Sequence, residues 1–404
     1  MTPPPSRPAP CPAALDAVLA PPVPVLVAPM AGGPTTPELV AAVVRAGGGG
    51  FLAGGMRTPD EVREQVDRLR ALLADDDGAP AATDAPASPL ATRFGVNLFV
   101  PDAVNTAIPD AARTPGALAA RAEAVAAHRE RLTALARDLD APLPAAEDVT
   151  PDPAAEREGF EAFLAAAEEQ AWPAVSFTFG LPEAAVFARL AAAGIPAGVT
   201  VTSAAEARAA VGNGAVFLVV QGPEAGGHRG TLDPAARPGI TDLRTLLSEM
   251  RRTLGAASVP LVAAGGVTDA AQVARLLATG ATAVSAGTAF LLTPEAGTSA
   301  VHRTALRQTV AGAAFAHPDD GGAATAVTRA FTGRWARSLV TPFMDEFADA
   351  PAAYPEVNAL TGPLRRVAAE RGDLEHVHLW AGTGAHRIAE RDAAVVLAAL
   401  TPGE

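Results

Sequence analysis

A single histidine, His228, stands among four glycines in the stretch QGPEAGGHRG, directly after the apolar run AVFLVV. Glycine weakens a helix or strand interior, so such a cluster marks a turn or a place where backbone approaches a ligand closely. An imidazole titrates near neutrality and can exchange a proton or stabilise an anion there. A loop histidine held by an ordinary hydrogen bond is the plainer reading; the glycines and the position at the end of an apolar run weigh against it. Two more glycine turns lie downstream, Gly265 and Gly266 in VAAGG, and Gly287 with Thr288 in SAGT. Their backbone N–H groups can cradle a phosphate without a basic side chain. The chain in fact has no lysine: its 31 basic residues are all arginine, which excludes Schiff-base and lysine-base chemistry.

The remaining histidines offer less. His376 and His378 alternate in HVHLWAGTGAH and could share a metal on a strand, but no carboxylate or cysteine accompanies them in a ligand-like pattern, so no metal is expected; His386 falls in the same stretch. His128, His302 and His317 lie in polar or helical surroundings and are expected at the surface. The one cysteine, Cys11, sits in the proline-rich opening and can form neither an internal disulfide nor a thiolate cluster.

Short apolar runs alternate with alanine-rich helical stretches, the rhythm of parallel strands joined by crossover helices. The runs are VPVLVAPM, GGGFLAGG, RFGVNLFV, AVSFTFG, PAGVTVT, AVFLVVQG, VPLVAAGG and TAVSAGTAF. Eight of them predict an α/β fold, a closed (β/α)8 TIM barrel with helical insertions forming a smaller second domain. Sites in such barrels lie at the carboxyl ends of the strands, and every polar or glycine-rich cluster falls there. Ala28, Pro29 and Met30 follow the first run, Asn97 lies in the third, Gln221, Gly226, Gly227 and His228 follow the sixth, Gly265 and Gly266 the seventh, and Ser285, Ala286, Gly287 and Thr288 the eighth. Met30 suits a core position nearly as well as a ligand contact.

The predicted organisation is a disordered proline-rich tail over 1–22 and a barrel over 23–295 carrying a helical insertion at about 102–170. A helical cap over 296–384 and a closing barrel helix with a tail over 385–404 complete it. The low-complexity stretch DDDGAPAATDAPASPL at 75–90 is expected to be a mobile loop. A net charge of −13 argues against a nucleic-acid partner. Neither a signal peptide nor a membrane-spanning run is visible, so the expected location is the cytoplasm; a homodimer is compatible with the sequence.

Together APMAGGPTTPEL, FGVNLFVP, VVQGPEAGGHRG, VAAGGV, AGTAFLLTPEAG and WAGTGAH resemble the nitronate monooxygenases, formerly 2-nitropropane dioxygenases, and most of all their bacterial class I branch. The resemblance runs from about residue 23 to 390 with the motifs in family order. It implies an FMN-binding barrel that oxidises alkyl nitronates, such as propionate 3-nitronate, with O2 to a carbonyl product and nitrite. It implies that Asn97, Gln221, Gly226, Gly266 and Ser285–Thr288 bind FMN, and that His228 is the active-site histidine. Family members often carry glutamine at the position of Ser285, so one side-chain contact to the phosphate is expected to be lost here. Related flavin barrels share the GGH loop, which keeps open an NAD(P)H-dependent FMN reductase of quinones or enoyl thioesters.

Overall fold

The computed structural model describes residues 12–74, 89–317 and 321–403. Eight of the nine described strands that precede residue 290 close into a barrel: β1 (Val25–Val27), β2 (Gly49–Ala53), β3 (Phe94–Phe99), β4 (Val175–Thr178), β5 (Ala197–Val201), β6 (Phe217–Gln221), β8 (Leu261–Ala264) and β9 (Ala283–Ala286), with β7 (Gly227–His228) left outside it. The barrel ladders are parallel, and β9 returns to β1 with Val25 opposite Val284. The strands are buried on both faces and therefore read as continuous Val, Leu and Ala runs. Helices such as Pro37–Arg45 and Ala270–Ala278 begin where Thr36 and Asp269 accept from the amides of Leu39 and Gln272, the expected capping bonds.

Three expectations about the additions need correction. The tail is not loose throughout: Pro12–Leu19 is a helix that buries Leu15, Val18 and Leu19 in one cluster with Leu26, Phe51, Phe217 and Val262 of the barrel. The i, i+3, i+4 spacing of those three residues is a helical stripe hidden by the prolines around it. The segment 296–384 is not wholly helical. It contains β10 (Thr325–Thr328) and β11 (Ala336–Leu339), an antiparallel pair that takes β7 as its third strand, with Ala336 opposite His228. The last barrel helix covers only Ala393–Leu400; the chain before it makes a short turn, and the Glu295 carboxylate accepts from the Ala393 amide at its start.

The insertion divides between two cores. Its helix Pro153–Glu169 packs Phe160 and Leu164 into the layer around the barrel. Its helix Pro115–Asp138 instead shares a second apolar cluster with the cap helix Glu356–Glu370 and with Phe331, Phe343 and Phe347. Residues 75–88, most of the stretch expected as a mobile loop, and Cys11 lie outside the described residues. No helix among the described residues is long and apolar enough to cross a membrane.

Candidate active site

A cavity of about 380 Å³ opens at the carboxyl ends of the barrel strands. Leu26, Phe51 and Val262 form its barrel side, and Thr332, Arg365 and Trp380 reach it from the cap. The structure brings all the sequence-predicted positions to this one wall: Ala28, Pro29 and Met30 after β1, Asn97 on β3, Gln221 with Gly226, Gly227 and His228 around β6 and β7, Gly265 and Gly266 after β8, and Ser285 through Thr288 at the end of β9.

Strand ends position the polar floor. Asn97 is buried, and its Nδ2 lies 2.8 Å from Ser176 Oγ and 2.9 Å from Thr178 Oγ1, which in turn lies 3.0 Å from Thr200 Oγ1. Gln221 serves the neighbouring loop. Its Nε2 donates to the carbonyl of His228 at 2.9 Å, and its Oε1 accepts from the Gly230 amide at 2.8 Å. One side chain thus fixes both flanks of the histidine.

Glycine is required where this loop meets the cap. A Cβ on Gly226 would lie 2.5 Å from the backbone of Ala381 and Gly382. Gly266 has φ of +68°, and a Cβ there would lie 2.8 Å from Glu224 Cβ. The amides of Gly266, Gly287 and Thr288 donate to no acceptor among the described residues, while Thr288 Oγ1 accepts from the Gly382 amide at 2.9 Å. Open amides on two adjacent strand ends are the kind of group that can receive an anion.

Nitrogen-bearing side chains of β7 and the cap line the same cavity. His228 Nε2 lies 2.9 Å from Thr332 Oγ1, which is 3.2 Å from the Arg334 carbonyl. With the threonine proton given to that carbonyl, the network assigns the His228 proton to Nε2 and leaves Nδ1 as an acceptor. The ring packs against Phe179 at 5.4 Å and Trp380 at 5.2 Å between centroids. Burial, aided by Arg334 and Arg365, pushes the His228 pKa down to about 3. Neutral imidazole is therefore the resting form.

Arg365 is buried in the same wall. Its Nε donates to Thr361 Oγ1, its Nη2 to the carbonyl and Oδ1 of Asn358, and its Nη1 to His378 Nδ1 at 3.0 Å. Since arginine only donates, His378 carries its proton on Nε2. Arg365 makes no ion pair among the described residues, and burial lowers its pKa to about 10, which still leaves it charged at neutral pH. His378 is held well below the ordinary value by burial and then by Arg365. Among the described residues, the cavity wall holds no carboxylate and no cation besides Arg365.

Two histidines expected at the surface are buried. His302 is 7% exposed, lines the cavity, and has an Nε2 without a partner; its pKa falls to about 4 through burial, against a bond to Trp380 backbone. His128 is 3% exposed, lies edge-on to Phe347 at 5.9 Å, and has both ring nitrogens unpartnered. Each occupies the apolar stripe of its helix, with Val125 and Leu132 flanking His128 and Ala305 and Leu306 following His302, and that spacing was the available signal. His317 is exposed. His376 and His378 diverge as alternate residues do: His376 Nδ1 pairs with Asp373 Oδ2 at 2.6 Å, away from Arg365. Sequence reasoning did not single out Thr332 and Arg365, because nothing local distinguishes them, and it met Trp380 only as the first residue of WAGTGAH.

A model of the nitronate monooxygenase family matches residues 16–401. The chain belongs to the nitronate monooxygenase family. A probable nitronate monooxygenase of Staphylococcus saprophyticus is 32% identical over 362 residues, covering 89% of this chain and 88% of that protein. Its counterpart in Staphylococcus aureus strain Newman is 30% identical over 364 residues, with the same coverage. Among solved structures, the nitroalkane oxidase of Streptomyces ansochromogenes is similar at 38% identity and a TM-score of 0.75, covering 96% of each chain. A point mutant of FabK from Thermotoga maritima is similar at 25% identity and a TM-score of 0.60, covering 96% of this chain and 93% of that one. The protein is thus an oxidoreductase of this family built on a TIM barrel.

Proposed function

We propose that the protein binds FMN non-covalently and oxidises alkyl nitronates with O2 to a carbonyl product and nitrite. The cradle of Gly265, Gly266, Gly287 and Thr288 would hold the phosphate, with Met30, Asn97 and Gly226 beside the ring system. When bound, FMN supplies the electron acceptor for the nitronate. The observation that carries the reading is the charge of the wall: among the described residues it holds a single buried guanidinium, Arg365, and no carboxylate to neutralise it. An unpaired buried cation is expensive in an empty site and favourable once an anion arrives. A nitronate is that anion.

The same wall favours a nitronate over a neutral nitroalkane, the substrate class named for the Streptomyces relative. A neutral nitroalkane must first lose a proton from carbon, which needs a basic side chain. His228, with a pKa of about 3, is a weak base, and the wall offers no carboxylate in its place. A nitronate needs only to be held. Arg365 Nη1 has one N–H left for its oxygens, and His378 Nε2–H offers another. An anion beside His228 raises that ring's pKa from its low resting value.

The test is to reconstitute the protein with FMN and to follow oxygen consumption and nitrite release with nitronate, and absorbance at 340 nm with NADH. Nitrite formation with slow NADH oxidation supports the proposal. Rapid NADH oxidation with no nitrite from nitronate assigns the protein to the reductases instead.

A further inference from the structure

A second cavity, of about 240 Å³, lies beside the first, and Phe99 and Phe179 belong to the walls of both. The chain has fourteen phenylalanines, and four of them (Phe99, Phe160, Phe163 and Phe179) line this space together with its only tyrosine, Tyr354. In a protein with 4% aromatic residues such a concentration marks a surface built for apolar contact. The charged groups of the wall are partly engaged, with Arg334 Nε left without a partner among the described residues. Asp102 pairs with Arg121 at 2.9 Å, Glu156 accepts from the Ala103 amide at 3.1 Å, and Arg334 donates to the carbonyls of Phe179 and Thr231.

The partition is held at a backbone cost. Phe179 has φ of +78°, a conformation that a bulky side chain rarely adopts. Its ring is fixed by Phe99 at 4.3 Å between centroids and by the Arg334 guanidinium at 4.2 Å, and its edge meets His228 at 5.4 Å. Strain of this kind persists where the surroundings impose it, and here it places one aromatic ring between the imidazole and the second cavity.

We infer that the second cavity receives the hydrocarbon tail of the substrate, so that the enzyme prefers nitronates with a long unbranched or aryl-bearing chain. This rests on the nitronate reading above: the head lies by Arg365 and His228, and the tail passes along the Phe99 and Phe179 rings. The two cavities share the Phe99 and Phe179 rings, so a tail that leaves the first along these rings meets the phenylalanine-lined part of the second. Each methylene buried there favours the longer substrate by about three- to fourfold.

The test measures kcat/KM for the FMN-loaded enzyme with primary nitronates from ethyl to octyl, in wild type and in two variants of the second cavity. Gly159 lines the cavity inside the helix Pro153–Glu169, and a Cβ there meets no atom within 4 Å, so Gly159→Phe fills the space without a clash at its root. Phe163→Ala enlarges it. In wild type, kcat/KM should climb with chain length. In Gly159→Phe the octyl-to-ethyl ratio should fall at least tenfold, and in Phe163→Ala the optimum should move to longer chains. A flat wild-type profile, or the same ratio in all three proteins, overturns the inference while the nitronate activity stands. Failure to turn over any nitronate, ethyl included, refutes the nitronate reading itself and this inference with it.

Discussion

Replacing Arg365 by Met removes the only charged side chain among the described residues of the cavity wall, and the structure sets the size of the effect. Four of the five guanidinium N–H groups are used by Thr361, Asn358 and His378, which leaves one on Nη1 for a ligand. One charge-assisted hydrogen bond to a nitronate oxygen contributes about 1.5–3 kcal/mol, or roughly a 10- to 150-fold change in affinity. The loss should appear mainly in KM, because the nitronate is already anionic before reaction, whereas Arg365→Lys keeps the charge without the fork and should lose less. The proposed phosphate cradle lies at the ends of β8 and β9, so flavin content should be retained in both variants. The assay is initial-rate oxygen consumption over a range of nitronate concentrations, with flavin content measured on the same sample. A wild-type KM in Arg365→Met at full flavin occupancy would refute the anion-site reasoning.

Other substitutions probe separate parts of the account. His228→Ala should lower nitronate turnover by about a hundredfold while FMN stays bound, the scale for one proton-transferring or electrostatic group; unchanged kinetics would remove the assigned role. Gly266→Ala places a Cβ 2.8 Å from Glu224 Cβ at φ of +68°, and should weaken FMN binding about tenfold, read by flavin titration of the apoprotein. His128 has a folded pKa of about 4 against an ordinary 6.5, so the unfolded chain binds more protons between those values. The neutral buried form is fully favourable above pH 6.5, and its contribution is lost as pH falls through that window, by about 2 kcal/mol at pH 5. His128→Leu should therefore be more stabilising at pH 5 than at pH 7.5 in denaturant titrations, and an equal effect at both would contradict the buried neutral assignment.

The barrel was legible because its strands are buried on both faces and so appear as uninterrupted Val, Leu and Ala runs between capped helices. The glycine positions were legible for a related reason, since close approach of backbone to backbone, as at Gly226 against Ala381, tolerates no side chain. What stayed hidden depends on long-range pairing. The three-stranded sheet joins residues 227–228 to a hairpin about a hundred positions away, and two-residue β7 has no periodicity to read. Arg365 resembles its neighbour Arg366 in sequence, and only the packing of the cap helix singles out a buried cation that lines the cavity. The buried histidines His128 and His302 were misplaced because histidine was weighed by polarity and not by its place on a helical stripe.

The central claim is that this cavity takes an anion which has already lost its carbon proton. Nitroethane ionises slowly, so freshly dissolved neutral nitroethane and pre-formed ethylnitronate can be compared at the same pH and total concentration before they interconvert. The measurement is the initial rate of oxygen consumption by the FMN-loaded enzyme with each form, together with nitrite released. The account predicts rapid turnover of ethylnitronate and, with neutral nitroethane, only the rate at which the nitronate forms spontaneously. Turnover of neutral nitroethane faster than its spontaneous ionisation would show that the site abstracts the carbon proton itself, and would contradict the role given to the neutral His228 and the unpaired Arg365.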